Sequence, residues 1–288
     1  MRTILLSALI ALAACSEKTP EPAPAPQTAA APADAIIAAE RAFAADGART
    51  GWVEAFETWS APDAIVLGAD PASAKDFLKN IDPANRGDTS LNWSPEFAGA
   101  SAAGDFGFTT GPFNGGGAAF GYYFTVWRKQ ADGNWRWIYD GGVDTTTPTT
   151  IDPAFSVVSI APPSGGEGSA DVAKTAVAVL ESALATGAAD DAPLALGGQF
   201  ADVSRLHRND TAPAIGAEAI TAALETGPRG IAFHQLRSEA SAAGDMVFTL
   251  GEARWDGGSG IYGRIWARQA EGWRIVFDQI VLRDLPPR

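Results

Sequence analysis

Apolar residues change their spacing along the chain, and this change predicts which segments are helices and which are strands. From Asp34 to Gly47 they recur every three or four positions, the period of an amphipathic helix that begins and ends at these residues. The segments 122–129 and 135–140 instead alternate with a period of two, which indicates strands. Helices followed by a meander of long strands are typical of an α+β fold, with the helices packed on one face of the sheet.

The same succession returns later in the chain. The stretch 101–111 begins Ser-Ala-Ala-Gly-Asp, and so does the stretch 241–251 (241 − 101 = 140). In this register Glu181 aligns with Glu40 (181 − 40 = 141). The Gly-Asp pair in each stretch predicts a hairpin turn that begins a central strand. Two copies of one α+β unit therefore fill the chain, each of a size typical of a single domain.

Composition and the repeat together divide the chain into five segments. They are a signal peptide at 1–14, a proline- and alanine-rich extended tether at 15–33, a first domain at 34–150, a linker at 151–168 and a second domain at 169–288. The second domain begins with a helix from Ser169 to Gly187, and the pattern predicts that its apolar stripe includes Val172 and Val179.

The N-terminus resembles the signal of a bacterial lipoprotein. Residues 4–14 form an apolar segment too short to cross a bilayer, which needs about 20 residues. The segment leads into Leu-Ala-Ala-Cys, which is similar to a lipobox, and Cys15 is the single cysteine of the chain. The resemblance implies acylation of Cys15, palmitate included, and a membrane anchor. Ser16 favours an outer-membrane protein facing the periplasm; an ordinary signal peptide with an incidental cysteine is the alternative.

Charge and composition exclude several classes of protein. The formal charge is −13 and no cluster of Lys or Arg offsets it, so nucleic acid is not a predicted partner. One cysteine and two histidines do not make a Cys-based or multi-histidine metal site, so no metal is predicted. The sequence has no P-loop, no dinucleotide-binding fingerprint and no Gly-x-Ser-x-Gly elbow, and no cofactor is predicted.

Three motifs of the first copy resemble the nuclear transport factor 2-like superfamily, and in particular its SnoaL-like bacterial members. They are Gly-Asp-Phe-Gly-Phe-Thr-Thr-Gly at 104–111, Tyr-Phe-Thr-Val-Trp-Arg-Lys at 123–129 and Asp-Gly-Asn-Trp-Arg-Trp-Ile-Tyr-Asp at 132–140. The resemblance covers residues 34–145 and 170–283. It implies two tandem cone-shaped domains, each a bent antiparallel sheet packed on about three N-terminal helices.

The same resemblance suggests how the two copies interact. Members of this superfamily commonly dimerise through the outer face of the sheet. A tandem repeat can satisfy that contact within one chain, so domain 1 and domain 2 are expected to form an internal pseudo-dimer. Light scattering of the soluble form tests this, because a stable dimer of chains contradicts it.

Candidate site residues fall into two groups. Five aromatic residues are candidates to line an apolar ligand cavity, with plain core as the alternative: Trp93, Tyr123, Trp127, Tyr262 and Trp266. Asp140 and Asp278 end the last strands of the two copies, and His234 lies on an earlier strand of the second. A desolvated carboxyl or an imidazole can act as an acid or base, whereas a strand-end Asp can also be structural.

Two functions follow. The favoured one is a membrane-anchored periplasmic lipoprotein that binds a small apolar or amphipathic molecule or a protein partner without catalysis. The alternative is an isomerase, cyclase or dehydratase with Asp278, His234 or Asp140 as acid-base groups. The sequence favours binding, because the polar candidates differ between the copies, and it favours the second copy as the location of any chemistry. An enzyme requires such a group inside an open cone.

Overall fold

The computed structural model describes residues 32–68, 70–116, 119–160, 163 and 165–283. The predicted signal peptide, the lipidation site Cys15 and the tether up to residue 31 lie outside the described residues. All described residues belong to one compact unit.

Each half begins with helices and continues into long strands. The first half contains α1 (Pro32–Thr50), α2 (Trp52–Trp59), β1 (Ser60–Leu67), β2 (Pro71–Ser73), α3 (Ala74–Lys79), a 3₁₀ turn (Pro83–Asn85), β3 (Asn92–Trp93), β4 (Phe97–Ala100), β5 (Phe106–Asn114), β6 (Phe120–Lys129), β7 (Trp135–Thr145) and β8 (Val158–Ser159). The second half contains α4 (Ala170–Gly197), β9 (Phe200–Arg208), β10 (Ala214–Ile215), α5 (Gly216–Leu224), β11 (Ala232–Ala240), β12 (Met246–Trp255), β13 (Gly258–Gln269) and β14 (Gly272–Leu282).

The two sheets share a strand order, apart from β8 at the edge of the first. The first runs β2-β1-β7-β6-β5-β4-β8 and the second β10-β9-β14-β13-β12-β11, which confirms the predicted α+β class. The sheets are mixed rather than purely antiparallel, because β1 is parallel to β7 and β9 is parallel to β14. A parallel pair needs a long crossover, and each first strand is separated from its partner by a helix and a meander. Part of the predicted linker forms β8, which pairs with β4.

Both sheets bend at corresponding positions. The register between β6 and β7 shifts between Val126 and Trp127, and that between β13 and β14 shifts between Ile265 and Trp266. Bulges of this kind bend a strand and increase its local twist. The helix α1 packs on β4 and β5, and α4 packs on β11 and β12, so each bent sheet closes over the helices that precede it.

The helix α4 corrects one prediction from the sequence. Val172 and Val179 are 51% and 66% exposed, so the predicted apolar stripe is wrong, and Val177 and Leu184 point inward instead. This helix is rich in alanine, so more than one face satisfies the apolar period. Among the described helices α4 alone is long and apolar enough to cross a membrane, but it carries Glu181 on its buried face and packs on a sheet.

The outer faces of the two sheets pack against each other. The ring of Phe124 stacks on that of Phe277 with centroids 4.1 Å apart, and it also contacts Phe248. The side-chain amide of Gln279 donates to the hydroxyl of Tyr139 at 3.0 Å across the same contact. Separating the halves would expose these rings, whose pairing contributes about 0.5–1.5 kcal/mol per pair beyond the area that they bury.

The repeated Ser-Ala-Ala-Gly-Asp stretches meet at this contact. The backbone N–H of Ala102 donates to Oδ2 of Asp245 at 2.9 Å, and the N–H of Ala242 donates to Oδ2 of Asp105 at 2.9 Å. Each turn therefore accepts from the other, which is the reciprocal pattern of a two-fold interface. The stretch that reveals the duplication in the sequence thus closes a hairpin and also joins the halves.

Candidate functional site

The cone of the first half contains a cavity of about 270 Å³. Helices α1 and α2 and strands β1, β3, β6 and β7 supply its walls, which include Phe43, Trp52, Phe56, Trp93, Tyr123 and Asp140. Ligand cavities of proteins hold roughly 300–1,000 Å³, so this one lies just below that range and suits only a small molecule. Of the predicted ligand-lining residues, Trp93 and Tyr123 line this cavity, whereas Trp127 is fully buried behind it.

Asp140 supplies a carboxyl group to this cavity. It lies on β7, is 9% exposed and accepts a hydrogen bond from the hydroxyl of Thr125 on β6 at 2.6 Å. Burial raises the pKa of Asp140 to about 8, opposed in part by the bond from Thr125 and reinforced by Glu40. The group is therefore mainly a neutral carboxylic acid at neutral pH.

Glu40 is a second buried acid, on the inner face of α1. Its Oε1 accepts from the indole nitrogen of Trp93 at 2.6 Å, and its Oε2 accepts from the hydroxyl of Thr109 and from Trp127 at 3.2 Å. Burial raises the pKa of Glu40 to about 7, and the hydrogen bonds oppose that rise. The sequence analysis did not select Glu40 as a site residue, although it lies on an apolar helix face at a position repeated in the second half.

The second half repeats this polar cluster. The Oε1 of Glu181 accepts from the hydroxyl of Thr249 at 2.8 Å and from the indole nitrogen of Trp266 at 2.7 Å. These three residues correspond to Glu40, Thr109 and Trp127, with separations of 141, 140 and 139 residues (181 − 40, 249 − 109 and 266 − 127). Asp278 corresponds in the same way to Asp140 (278 − 140 = 138).

One position differs and changes the chemistry of the cluster. Arg264 occupies the place of Thr125 (264 − 125 = 139) and is fully buried. Its Nε lies 2.6 Å from Oδ2 of Asp278, and its terminal nitrogen lies 2.7 Å from Oε2 of Glu181. Burial opposes the charge, but these two carboxylates outweigh burial and raise the pKa of Arg264. Both acids of the second cluster are therefore paired with an internal cation.

Asp278 has a second cationic partner. A terminal nitrogen of Arg208 lies 2.7 Å from its Oδ1, so both carboxylate oxygens lie on guanidinium groups. Asp278 is 0% exposed and does not line the cavity of the second half. In this arrangement it is a structural ion-pair partner, and its predicted acid-base role has no geometric support.

The second half has its own cavity, also of about 270 Å³. Its walls are mainly aliphatic and include Leu196, Leu206, Leu224 and Ile280, with Arg208 as the charged member. Tyr262 and Trp266, predicted to line a ligand cavity, do not line it; both are fully buried beside Arg264 and Glu181.

The two histidines lie outside the two cavities described above. His234 is exposed on β11, where it lines a further pocket with Glu181, Phe233 and Tyr262 that does not include Asp278. His207 is buried between the rings of Tyr122 and Phe277, and burial lowers its pKa to about 3. The described residues contain no group of three or more His, Cys, Asp or Glu side chains arranged to hold a metal ion.

Comparison with known proteins finds similar solved structures. No family model matches the chain, and no curated protein sequence matches it. Among solved structures the chain is similar to an NTF2-like protein of unknown function from Pseudomonas putida, at 19% identity and a TM-score of 0.35 over 42% of this chain and all (100%) of that one. It is also similar to nuclear transport factor 2 from Cryptosporidium parvum, at 20% identity and a TM-score of 0.32 over 42% of this chain and 98% of that one. An NTF2-like protein from Cytophaga hutchinsonii matches at 14% identity and a TM-score of 0.32, over 38% of this chain and 97% of that one.

Proposed function

We propose that the first half of this protein is a binding module for a small organic molecule held in the cavity beside Asp140. The observation that carries the proposal is the difference between the two cones. The second half has a cavity of the same size, but there Asp278 is paired with Arg264 and Arg208 and lies outside the lining, whereas in the first half Asp140 has no ion-pair partner among the described residues and borders the cavity. A cavity that keeps an acid accessible behind aromatic walls is typical of ligand sites.

The walls suit a ligand that is partly apolar. Trp52, Phe56 and Trp93 present aromatic surface, while Asp140 and Tyr123 add polar groups from neighbouring strands. Apolar contact supplies most of the affinity in such sites, and a few polar groups orient the ligand. The alternative occupant named by the sequence, a protein partner, would need a projecting segment to reach these rings.

We also propose that the module is held at the periplasmic side of the outer membrane by a lipid on Cys15. The support is the Leu-Ala-Ala-Cys motif, Ser16 and the proline-rich segment that follows. In cells fed an alkyne-labelled palmitate, the full chain should take up the label and sediment with membranes. The Cys15→Ser variant should do neither; a labelled Cys15→Ser protein would contradict the anchor.

Filling the cavity should abolish binding of small aromatic probes. Leu67 lines the cavity and lies with its Cβ close to the backbone of Gly141. In Leu67→Trp the indole should occupy the space of the ligand and weaken binding at least about tenfold, which corresponds to about 1.4 kcal/mol. Ligand-observed NMR with aromatic probes on the detergent-solubilised protein measures this.

Leu236→Trp is the matched control, because Leu236 is 52% exposed on β11. It adds the same side chain outside the cavity and should leave probe binding unchanged. Equal loss in both variants would show that the probes bind elsewhere.

The catalytic alternative is supported by one observation, the pKa of about 8 for Asp140 inside an open cone. A carboxyl that titrates near neutral pH can transfer protons to and from a bound ligand. His234 and Asp278 do not contribute to that cavity in the described residues. Recovery of an identified ligand unchanged after long incubation with the protein would contradict this alternative.

A further inference from the structure

We infer that the ligand of the first cavity is an organic cation of the amine, amidine or guanidine class, with its charged group beside Asp140. In the second half a side chain of the protein itself, the guanidinium of Arg264, lies beside Asp278, the counterpart of Asp140. This inference rests on the proposed binding function and names the chemical class of the ligand.

Each group that surrounds the guanidinium of Arg264 has a counterpart in the first half. The corresponding pairs are Glu181 and Glu40, Asp278 and Asp140, Tyr262 and Tyr123, and Phe233 and Trp93. The separations in the last two pairs are 139 and 140 residues (262 − 123 and 233 − 93). The cation itself has no counterpart, because Thr125 stands in its place. Thr125 is itself fully buried, and Asp140 is the member of the cluster that borders the cavity, so a ligand cation would lie beside Asp140.

The charges of the two clusters differ accordingly. In the second half Glu181 and Asp278 face the guanidinium groups of Arg264 and Arg208. The strand registers place Arg208 opposite Ile280 on β14, and the equivalent position in the first half is Gly68, directly after β1 (208 − 68 = 140). Both cations of the second cluster are therefore absent from the first.

The first cluster consequently holds two acids without a basic partner. The hydrogen-bond donors to Glu40 and Asp140 are Thr109, Trp93, Trp127 and Thr125, and no ion pair within the described residues involves either acid. Burial of an ionised carboxylate without a counter-charge is unfavourable, so burial raises the pKa of both acids, of which Asp140 borders the cavity. A ligand that brings a positive charge supplies the missing partner.

The aromatic walls favour the same class of ligand. The guanidinium of Arg264 lies 4.7 Å from the ring centre of Tyr262 and 5.0 Å from that of Phe233. The first cavity has Tyr123 and Trp93 at these positions, and indole is the strongest of the aromatic cation acceptors. Asp144 also lines the cavity, whereas no lysine or arginine of the described residues does. An anionic ligand would lie beside Asp140, with no lysine or arginine among the described lining residues to offset its charge.

The pH dependence of binding follows from the groups around Asp140. These are Glu40 on α1, Tyr123 on β6, and Tyr139 and Asp144 on β7, all acids, while the cavity-facing residues of β1 are aliphatic. A cation binds the ionised form of Asp140, so binding releases a proton. Affinity should rise as the pH increases towards about 8 and then level off, provided that the ligand remains charged.

Isothermal titration calorimetry of the detergent-solubilised full chain tests the inference with matched probes. Benzamidine and benzylamine are the cations, benzyl alcohol is the neutral isostere and benzoate is the anion. We expect benzamidine to bind at least about tenfold more tightly than benzyl alcohol, with proton release seen as a dependence of the heat on the buffer. Asp140→Asn should remove this preference, while Leu236→Trp should retain it.

Thr125→Arg provides a second, independent variant. Its guanidinium should take the position that Arg264 holds in the other half and reduce cation binding at least about tenfold, whereas Thr125→Ser should retain binding. If benzyl alcohol binds as tightly as benzamidine and Asp140→Asn changes neither, the cation inference is overturned while the binding function stands. If no probe of any charge binds, the proposed binding function itself fails.

Discussion

Replacement of Arg264 by methionine should lower the free energy of unfolding by about 3–5 kcal/mol, the cost of removing one partner from a buried ion pair. The side chain of Arg264 is fully buried and joins Glu181 on α4 to Asp278 on β14. Without it both carboxylates remain in the interior, and Glu181 loses its only cationic partner in the described residues. Methionine fills a similar volume, so the loss reports the charge rather than a cavity. Urea unfolding followed by tryptophan fluorescence measures the change.

Arg254→Met is the matched control for this prediction. Arg254 pairs with Glu252 at 2.8 Å, but its side chain is 65% exposed. Exposed pairs contribute about 0–1 kcal/mol, so this variant should unfold almost like the parent protein. Adding Glu181→Gln and Asp278→Asn to Arg264→Met should recover part of the loss, because the unpaired charges are then removed. An equal loss in Arg264→Met and Arg254→Met would contradict the assigned role.

The second prediction concerns a substitution that should raise the free energy of unfolding rather than lower it. Asp140→Asn should raise the free energy of unfolding by about 2–4 kcal/mol near pH 8 and change it little near pH 4. In the folded protein Asp140 keeps its proton up to a pKa of about 8, whereas in the unfolded chain it loses the proton near 3.8. Its contribution to stability is therefore complete below about pH 3.8 and declines as the pH rises towards 8, by up to 1.36 kcal/mol per pH unit.

Asparagine removes this decline because it does not ionise, and its amide oxygen can still accept from Thr125. The measurement is urea unfolding of both proteins from about pH 4 to about pH 9. His207 adds its own dependence, since its pKa of about 3 makes stability fall as the pH drops below 6.5, but it is present in both proteins and cancels in the difference between them. The exposed turn residue Asp132 is the control, because its pKa is lowered rather than raised. A gain for Asp140→Asn that does not vary with pH would contradict the assignment.

Together these predictions describe two copies of the cluster around Glu40 and Glu181 that differ in their role. In the second half Arg264 forms internal ion pairs with Glu181 and Asp278. In the first half Asp140 stays accessible at a cost in stability, as expected of a functional site. The cost should disappear when a cation binds, so benzamidine should raise the unfolding temperature of the parent protein and not that of Asp140→Asn.

Several features of this protein were accessible from the sequence because they depend on local pattern. Periods of 3.6 and 2 distinguish the helices from the strands, and the repeated Ser-Ala-Ala-Gly-Asp stretch reveals the duplication. Asp140 and Asp278 and the aromatic positions of β6 and β13 were also selected, but the prediction that the two acids end their strands was wrong, because β7 continues to Thr145 and β14 to Leu282. These signals depend on which face of a helix or strand is apolar, and a short stretch of sequence is enough to show this.

What the sequence did not determine was in which copy the buried acids lack a cationic partner. One copy has Thr125 at the position where the other has Arg264, and Arg264 pairs with Glu181, the counterpart of Glu40. In the sequence each glutamate is one acidic residue on a helix face, and Arg264 is one basic residue on a strand. Helix α4 and strands β13 and β14 meet only in the fold, where the interior excludes water and an arginine becomes the partner of two acids. Tertiary structure alone therefore decided that the acids of the second copy are paired with an internal cation while Asp140 of the first borders a cavity.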